Sequence, residues 1–167
     1  RVSTHVTDQR YRARNDQRIW CELLPLGPAR TIATVNRIQR LRELLEPGES
    51  LLVTHLINVR YLCGFTGSYG VLLISPDEAI LFTDSRYTLA ASAQCFDVEV
   101  RTCTNALQEA VVHPSHSLAV ESEHISLAQY SHIANTTQVP LRESKGLVEQ
   151  LRVVKDASEI ALIREAC

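Results

Sequence analysis

A chain of 167 residues, 45% hydrophobic and 22% charged, is long enough for one domain with a buried core, and its composition excludes a disordered or fibrous class. The net charge of −2 provides no electrostatic footprint for nucleic acid or an anionic membrane, and no apolar run reaches the length of a membrane span. Five cysteines (Cys21, Cys63, Cys95, Cys103 and Cys167), an odd set without a Cys-x-x-Cys pair, argue against a disulfide framework or zinc ribbon and favour a reducing cytoplasm.

Residues 1–33 differ from the remainder of the chain. Their six arginines against Asp8, Asp16 and Glu22 make the stretch +3 and leave −5 for residues 34–167. It lacks sustained periodicity, Pro25 and Pro28 would interrupt any helix, and no initial Met is present. A loosely ordered extension of a trimmed chain is expected; the alternative, a mitochondrial transit segment, is disfavoured because the stretch is not Ser-rich.

Periodicity starts at Val35. Val35, Ile38, Leu41, Leu44 and Leu45 line one helical face opposite Arg37, Arg40, Arg42 and Glu43, and Pro47-Gly48 stops the helix. Leu51 to His55 reads as the first strand. Asn58 then either caps a short turn through Cys63 or has a functional role. Gly64, Gly67 and Gly70 recur at steps of three before a strand rather than a helix, and no Lys accompanies them, which argues against a phosphate-binding loop.

Val71 to Ile74 and Ala79 to Phe82 are continuous apolar runs joined by Ser75-Pro76-Asp77-Glu78, the pattern of an antiparallel hairpin buried on both faces. Asp84 sits where the N-cap of a helix through Tyr87, Leu89, Ala90 and Ala93 belongs. Arg86, near the positive end of that helix, calls for a carboxylate partner.

Beyond it, alternation takes over. Strand Val98–Arg101 precedes a helix that Pro114 ends and on which Ala106, Leu107, Ala110 and Val111 form a small apolar face, and strand Leu118–Glu121 precedes helix Ser126–Ala134, which turns Leu127, Tyr130 and Ile133 inward. Strand Val139–Arg142 and helix Lys145–Val154 come next. Asp156-Ala-Ser-Glu159 has capping-box spacing and opens a last helix, whose apolar residues Ile160, Ile163 and Ala166 lack a packing partner in the chain. The expected fold is α/β: a mixed five- to six-stranded sheet with an antiparallel hairpin and flanking helices.

A hairpin returns the chain to its starting end, so the segments before Val71 and after Phe82 share one end of the sheet. Asn58, Arg60, Tyr61, Phe65, Ser68, Asp84, Arg86 and Tyr87 are therefore expected to form one surface, a substrate cleft or subunit interface, with Asp84 and Arg86 in reach of Asn58 and Arg60. No catalytic set is evident. Asp84, Asp97, Glu121 and Glu123 fall on different elements, and no His-Glu-x-x-His occurs. His113, His116, His124 and His132 read as solvent-exposed imidazoles, Cys63 as buried filler, and Ser68 and Ser85 have no recognisable base.

The central segment, Asn58-Val-Arg-Tyr-Leu-Cys-Gly-Phe-Thr-Gly-Ser followed by the hairpin and Thr83-Asp-Ser-Arg-Tyr, resembles the amino-terminal domain of the creatinase/prolidase family, the Xaa-Pro aminopeptidases and dipeptidases with a pita-bread catalytic domain. Leu151-Arg-Val-Val-Lys-Asp-Ala-Ser-Glu-Ile-Ala-Leu-Ile-Arg-Glu-Ala resembles the same family's Arg-x-x-Lys-x-x-x-Glu-Ile-x-x-Ile-Arg-x-Ala segment. The resemblance implies a creatinase amino-terminal domain over residues 34–144 and linker helices over 145–167, leading toward a catalytic domain that is not in this chain. That domain would hold the divalent metals (manganese, cobalt or zinc) on two Asp, one His and two Glu; no metal or other cofactor is expected here. Further implications are a homo-oligomer, a dimer through this domain, and short Xaa-Pro peptides as substrates of the whole enzyme, a cytoplasmic metal-dependent hydrolase. This chain alone would be inactive, shaping substrate access. The alternatives are a stand-alone protein-interaction module of pita-bread descent and an independent hydrolase or nuclease, which would need a carboxylate cluster.

Overall fold

The structure, a computed structural model, describes residues 37–167 except Phe96 and Ser115. The extension expected over residues 1–33 lies outside the described residues.

Helix α1 (residues 37–42) buries Ile38 and Leu41 and leads into strand β1 (Glu49–Val53). Helix α2 (Leu56–Cys63) comes next, and Gly64 ends it with φ of 82°, its N–H donating to the Arg60 carbonyl. That left-handed conformation is one a side chain would strain, which accounts for the first of the three glycines. Strands β2 (Val71–Ile74) and β3 (Ala79–Thr83) pair antiparallel, Val71 opposite Phe82 and Ile74 opposite Ala79. The rest alternates: α3 (Thr88–Gln94), β4 (Glu99–Thr102), α4 (Ala106–Val111), β5 (Ser117–Glu121), α5 (Leu127–Thr136), β6 (Leu141–Ser144), α6 (Leu147–Val153) and α7 (Ala157–Ala166).

The six strands form one sheet in the order β4-β3-β2-β1-β5-β6, in which β2 runs against both neighbours and all other pairs are parallel. Burial follows position. Every residue of β1, β2 and β3 is buried, and Leu51–Val53, Val71–Ile74 and Ala79–Phe82 within them are continuous apolar runs, whereas the edge strands β4 and β6 expose charged residues such as Glu99 and Glu143.

The pleat sends Leu51, Val53, Leu72, Ile74 and Leu81 to the face covered by α1, α2 and α6, packed on Leu41, Leu62 and Leu151. Leu52, Leu73, Ile80 and Phe82 go to the other face, against Ala106, Ala110, Val111 and Ile133 of α4 and α5. The mixed sheet expected from sequence is thus the one formed, with six strands.

Element ends shift by a few residues. The first strand starts at Glu49 because that carboxylate, only 1% exposed, is not stranded: Arg142 of β6 reaches across β5 and forks onto it with Nε–Oε1 and Nη2–Oε2 of 2.6 Å each. The fork holds the Glu49 carboxyl below its ordinary value of 4.5, against burial, which pushes it up. A depressed folded-state pKa stabilises the fold fully above the unfolded value, and that contribution is lost as pH falls through the folded one. Arg142→Gln is therefore expected to cost about 2 kcal/mol at pH 7, less than a fully buried pair because Arg142 is 41% exposed, and to flatten the loss of stability below about pH 4.5. Urea titrations of both proteins from pH 7 to pH 3 provide the check; parallel curves would refute it.

The capping box of α7 is present, Asp156 accepting from Glu159 N–H and Glu159 from Asp156 N–H. Arg37 of α1 joins it at 2.7 Å from Asp156 and 3.3 Å from Glu159. None of the residues of α7 is buried, and Ile160, Leu162 and Ile163 lie exposed.

Candidate functional site

Because β1, β3, β4, β5 and β6 point the same way, their carboxyl ends and the start of β2 share one sheet edge. The polar loops gather there, as hairpin geometry requires, but they form two clusters rather than one.

The first cluster is built on the glycine loop. Phe65 is 1% exposed and meets Tyr87 edge to face, centroids 5.9 Å apart at 88°. Gly67 and Gly70 lie directly against the Phe65 ring: a Cβ on Gly70 would stand 2.9 Å from Phe65 Cε1, and one on Gly67 would stand 2.8 Å from Tyr87 Cδ1 and collide with the Phe65 ring as well. These two glycines are space for rings. Ser68 Oγ lies 2.6 Å from the Tyr87 hydroxyl, while Gln94 of α3 accepts from Thr66 N–H and donates to Thr66 Oγ1, both at 2.9 Å.

Asp84 does not cap α3, whose N-cap is Tyr87. Instead Asp84 Oδ1 accepts the Arg86 N–H at 2.9 Å, closing a turn before the helix, and its carboxylate takes Arg86 Nη2 at 2.6 Å. Arg86 thus has the carboxylate partner its position required. Those hydrogen bonds hold the Asp84 carboxyl below its usual range. Arg86 itself is 70% exposed beside the Tyr87 ring.

The second cluster surrounds Asn58, which is fully buried in α2. The N-cap of that helix is His55, so Asn58 is no cap. Its Nδ2 donates to Glu121 Oε1 and to Glu149 Oε1, each at 2.6 Å, and its Oδ1 accepts from Arg152 Nη1 at 2.9 Å. Glu121, at the end of β5, uses Oε2 to accept the N–H groups of Thr54 and His55 at 2.8 and 2.9 Å. The carboxylate thereby sits at the positive end of α2. Burial pushes the Glu149 carboxyl up, but the Asn58 amide, its own N–H and His124 favour the charged form more, and the net shift is downward.

The remaining candidates lie apart. Tyr61 donates to the Leu151 carbonyl at 3.1 Å under the Arg37 guanidinium, and burial pushes its phenol up. Arg60 is exposed, with no side-chain hydrogen bond among the described residues. The single surface expected from sequence is corrected on three points: Asn58 and Phe65 are buried, Asp84 and Arg86 engage each other, and neither reaches Asn58 or Arg60. A partner two residues away is closer for Arg86 than one across the loop. Asn58, three residues into α2, faces the sheet.

Sequence reasoning missed His55, Glu121, Glu149 and Arg152. Glu121 did leave a signal, a charge closing the apolar run Leu118–Val120. His124, expected as a solvated imidazole, stacks on His55 with centroids 3.8 Å apart. Cys63 is buried, as expected of filler, its thiol 3.8 Å from that of Cys95.

Sheet order and loop placement define an α/β domain with one antiparallel strand in an otherwise parallel sheet and its polar loops on one edge. The chain belongs to the creatinase/prolidase N-terminal domain family, whose model matches residues 37–154. It is 34% identical over 141 residues to the uncharacterized peptidase YqhT of Bacillus subtilis (strain 168), covering 78% of this chain and 39% of that one. The Xaa-Pro dipeptidase from Bacillus anthracis superposes with a TM-score of 0.75 at 29% identity, over 79% of this chain and 39% of the dipeptidase. The N-terminal domain of the cytoplasmic peptidase PepQ from Mycobacterium tuberculosis H37Rv superposes at 0.64 with 31% identity, over 70% of this chain and 98% of that domain. The chain therefore spans well under half the length of the first two.

The family's metal centre belongs to its catalytic domain. Among the described residues, one grouping of three metal-ligating side chains occurs, His55, His124 and Glu149. With a single carboxylate it does not fit a carboxylate-bridged two-metal centre. No helix among the described residues is long and apolar enough to cross a membrane.

Proposed function

We propose that this chain is the non-catalytic amino-terminal domain of a cytoplasmic Xaa-Pro peptidase, where it shapes access to the active site and contributes to a homodimer. Residues 34–144 form the domain proper and 145–167 lead toward the catalytic half. The observation that carries this reading is the exposed strip beside the glycine loop. There Asp84 pins the Arg86 fork from one side, and Arg86 Nη1 has no partner among the described residues. A guanidinium held this way, 70% exposed and beside an aromatic ring, suits the carboxylate end of a short peptide or an acidic group of a second subunit.

Two measurements test it. The 167-residue chain, assayed with Xaa-Pro peptides and added manganese or cobalt, is expected to give no hydrolysis; turnover removed by a chelator and restored by metal would overturn the assignment. In the whole peptidase, Arg86→Ala is expected to raise KM for short Xaa-Pro peptides about tenfold, or to weaken the dimer, with kcat and metal content unchanged. Parent-like kinetics together with a parent-like oligomer would remove Arg86 from the site.

A further inference from the structure

The Asn58 cluster does more than tie α2 to α6. Three side chains able to ligate a metal stand on its open side, contributed by three separate elements: His55 from the start of α2, His124 from the turn after β5, and Glu149 from α6. One donor atom of each lies within 4.8 Å of the other two. His124 Nε2 is already 2.9 Å from Glu149 Oε1, and the His55 ring lies parallel to that of His124 within 16°.

The frame behind these donors is rigid. Glu121 clamps the backbone N–H groups of Thr54 and His55, which fixes where the His55 ring starts. The buried Asn58 amide holds Glu149 Oε1 at 2.6 Å, and Arg152 locks the other end of that amide. Such supporting contacts orient metal ligands and are the part hardest to obtain by accident.

Two further observations point to a cation. His55 Nδ1 is buried without a hydrogen-bond partner, as is Thr54 Oγ1 beside it; an orphaned buried polar atom costs about 1–3 kcal/mol until something satisfies it. The cluster is also short of positive charge: Glu121 and Glu149 face Arg152, so with neutral imidazoles it carries one net negative charge.

We propose that His55, His124 and Glu149 bind a divalent first-row transition-metal ion of zinc type, with water completing its coordination. Two imidazoles and a carboxylate suit zinc, cobalt or nickel and are poor ligands for magnesium or calcium, which demand oxygen. Zinc bonds of 2.0–2.2 Å in a tetrahedron bring donor atoms to about 3.3 Å from one another, so the three close in on the ion. The stacked rings hold their nitrogen lone pairs in two nearly parallel planes, and coordination turns the rings so that one lone pair of each converges on the ion. His124 stands in a turn rather than in a helix or strand, and its side chain is 27% exposed, so it is the ligand that turns. Its hydrogen bond to Glu149 is exchanged for two bonds to the metal, and the Asn58–Glu149 bond stays. The site staples α2, the β5–α5 turn and α6, and it does not depend on the peptidase reading.

The test uses the 167-residue chain with zinc alone and with cobalt alone, by calorimetry, thermal unfolding and cobalt absorption. Wild type is expected to take up one equivalent, to melt at higher temperature with zinc, and to show the visible bands of cobalt held by nitrogen and oxygen. His124→Ala and Glu149→Gln are each expected to weaken zinc binding at least about tenfold, His124→Ala with little effect on the apo melting point because its ring lies at the surface. Absence of saturable binding, unchanged affinity in H124A, or a thiolate-to-cobalt charge-transfer band placing the ion on cysteine would each overturn the proposal.

Discussion

Asn58→Leu is expected to destabilise the fold by about 3–5 kcal/mol, the range for removing one partner from a buried charged cluster. Three hydrogen bonds to charged groups are lost at once, two to carboxylates and one from a guanidinium. Glu121 suffers most: it is 6% exposed, and among the described residues Asn58 is the sole partner of its Oε1. A carboxylate oxygen stranded there cannot recover its hydration. Because the three bonds share one amide, their values do not add, and the total stays below the sum of about 1.5–3 kcal/mol each. Urea unfolding should show a lower midpoint at unchanged slope. A second variant, Asn58→Leu with Glu121→Leu, is expected to recover part of the loss, since replacing both partners with apolar groups removes the unpaired charge, although Thr54 and His55 then lose their acceptor. A loss under about 1 kcal/mol for Asn58→Leu would mean that water reaches the cluster and that it is no rigid frame.

The second large effect lies in the glycine loop. Phe65→Ala should cost about 3–5 kcal/mol, as for other fully buried aromatic residues, and should loosen Tyr87, whose ring rests edge-on against it. Gly67→Ala should cost about 1–3 kcal/mol for the opposite reason, overpacking against the Phe65 and Tyr87 rings. The two changes are expected to couple. In the double variant the new methyl enters the space the ring has left, so the combined loss is smaller than the sum of the single ones. Strict additivity would show that Gly67 is needed for its backbone rather than for ring space. Ser68 and Arg86 flank these rings, so the same cycle read out as KM in the whole peptidase tests whether ring packing positions the proposed contact strip.

Local pattern was sufficient for the framework. The buried hairpin follows from two apolar runs around a Pro-containing turn, and the capping box at Asp156 from residues three apart. Each of these signals lies within a few residues of the feature it specifies, and each expectation was met to within a few residues. The resemblance in the central and closing segments led correctly to the family.

The site was legible only where it was local. The need of Arg86 for a carboxylate partner was legible from its place near a helix start, whereas Asn58 is separated by 63 and 91 residues from its partners Glu121 and Glu149, and the three carry no joint signature. They are brought together by the parallel register of β1 and β5, Leu52 beside Val120, which sets Glu121 against the N–H groups that open α2. Neither strand encodes that alignment alone. The elements could be read from the chain itself, because apolar periodicity is a property of neighbours in sequence, but two helix faces could not: Leu127, expected inward, is 81% exposed, and beyond Asp84 it is Ala91 that is buried while Leu89 is 88% exposed. Which lone polar residues meet on the sheet edge depended on the folded arrangement, because a crossover can bring any residue beside any other, and a buried carboxylate is tolerated only where the amide, the backbone donors and the guanidinium arrive together.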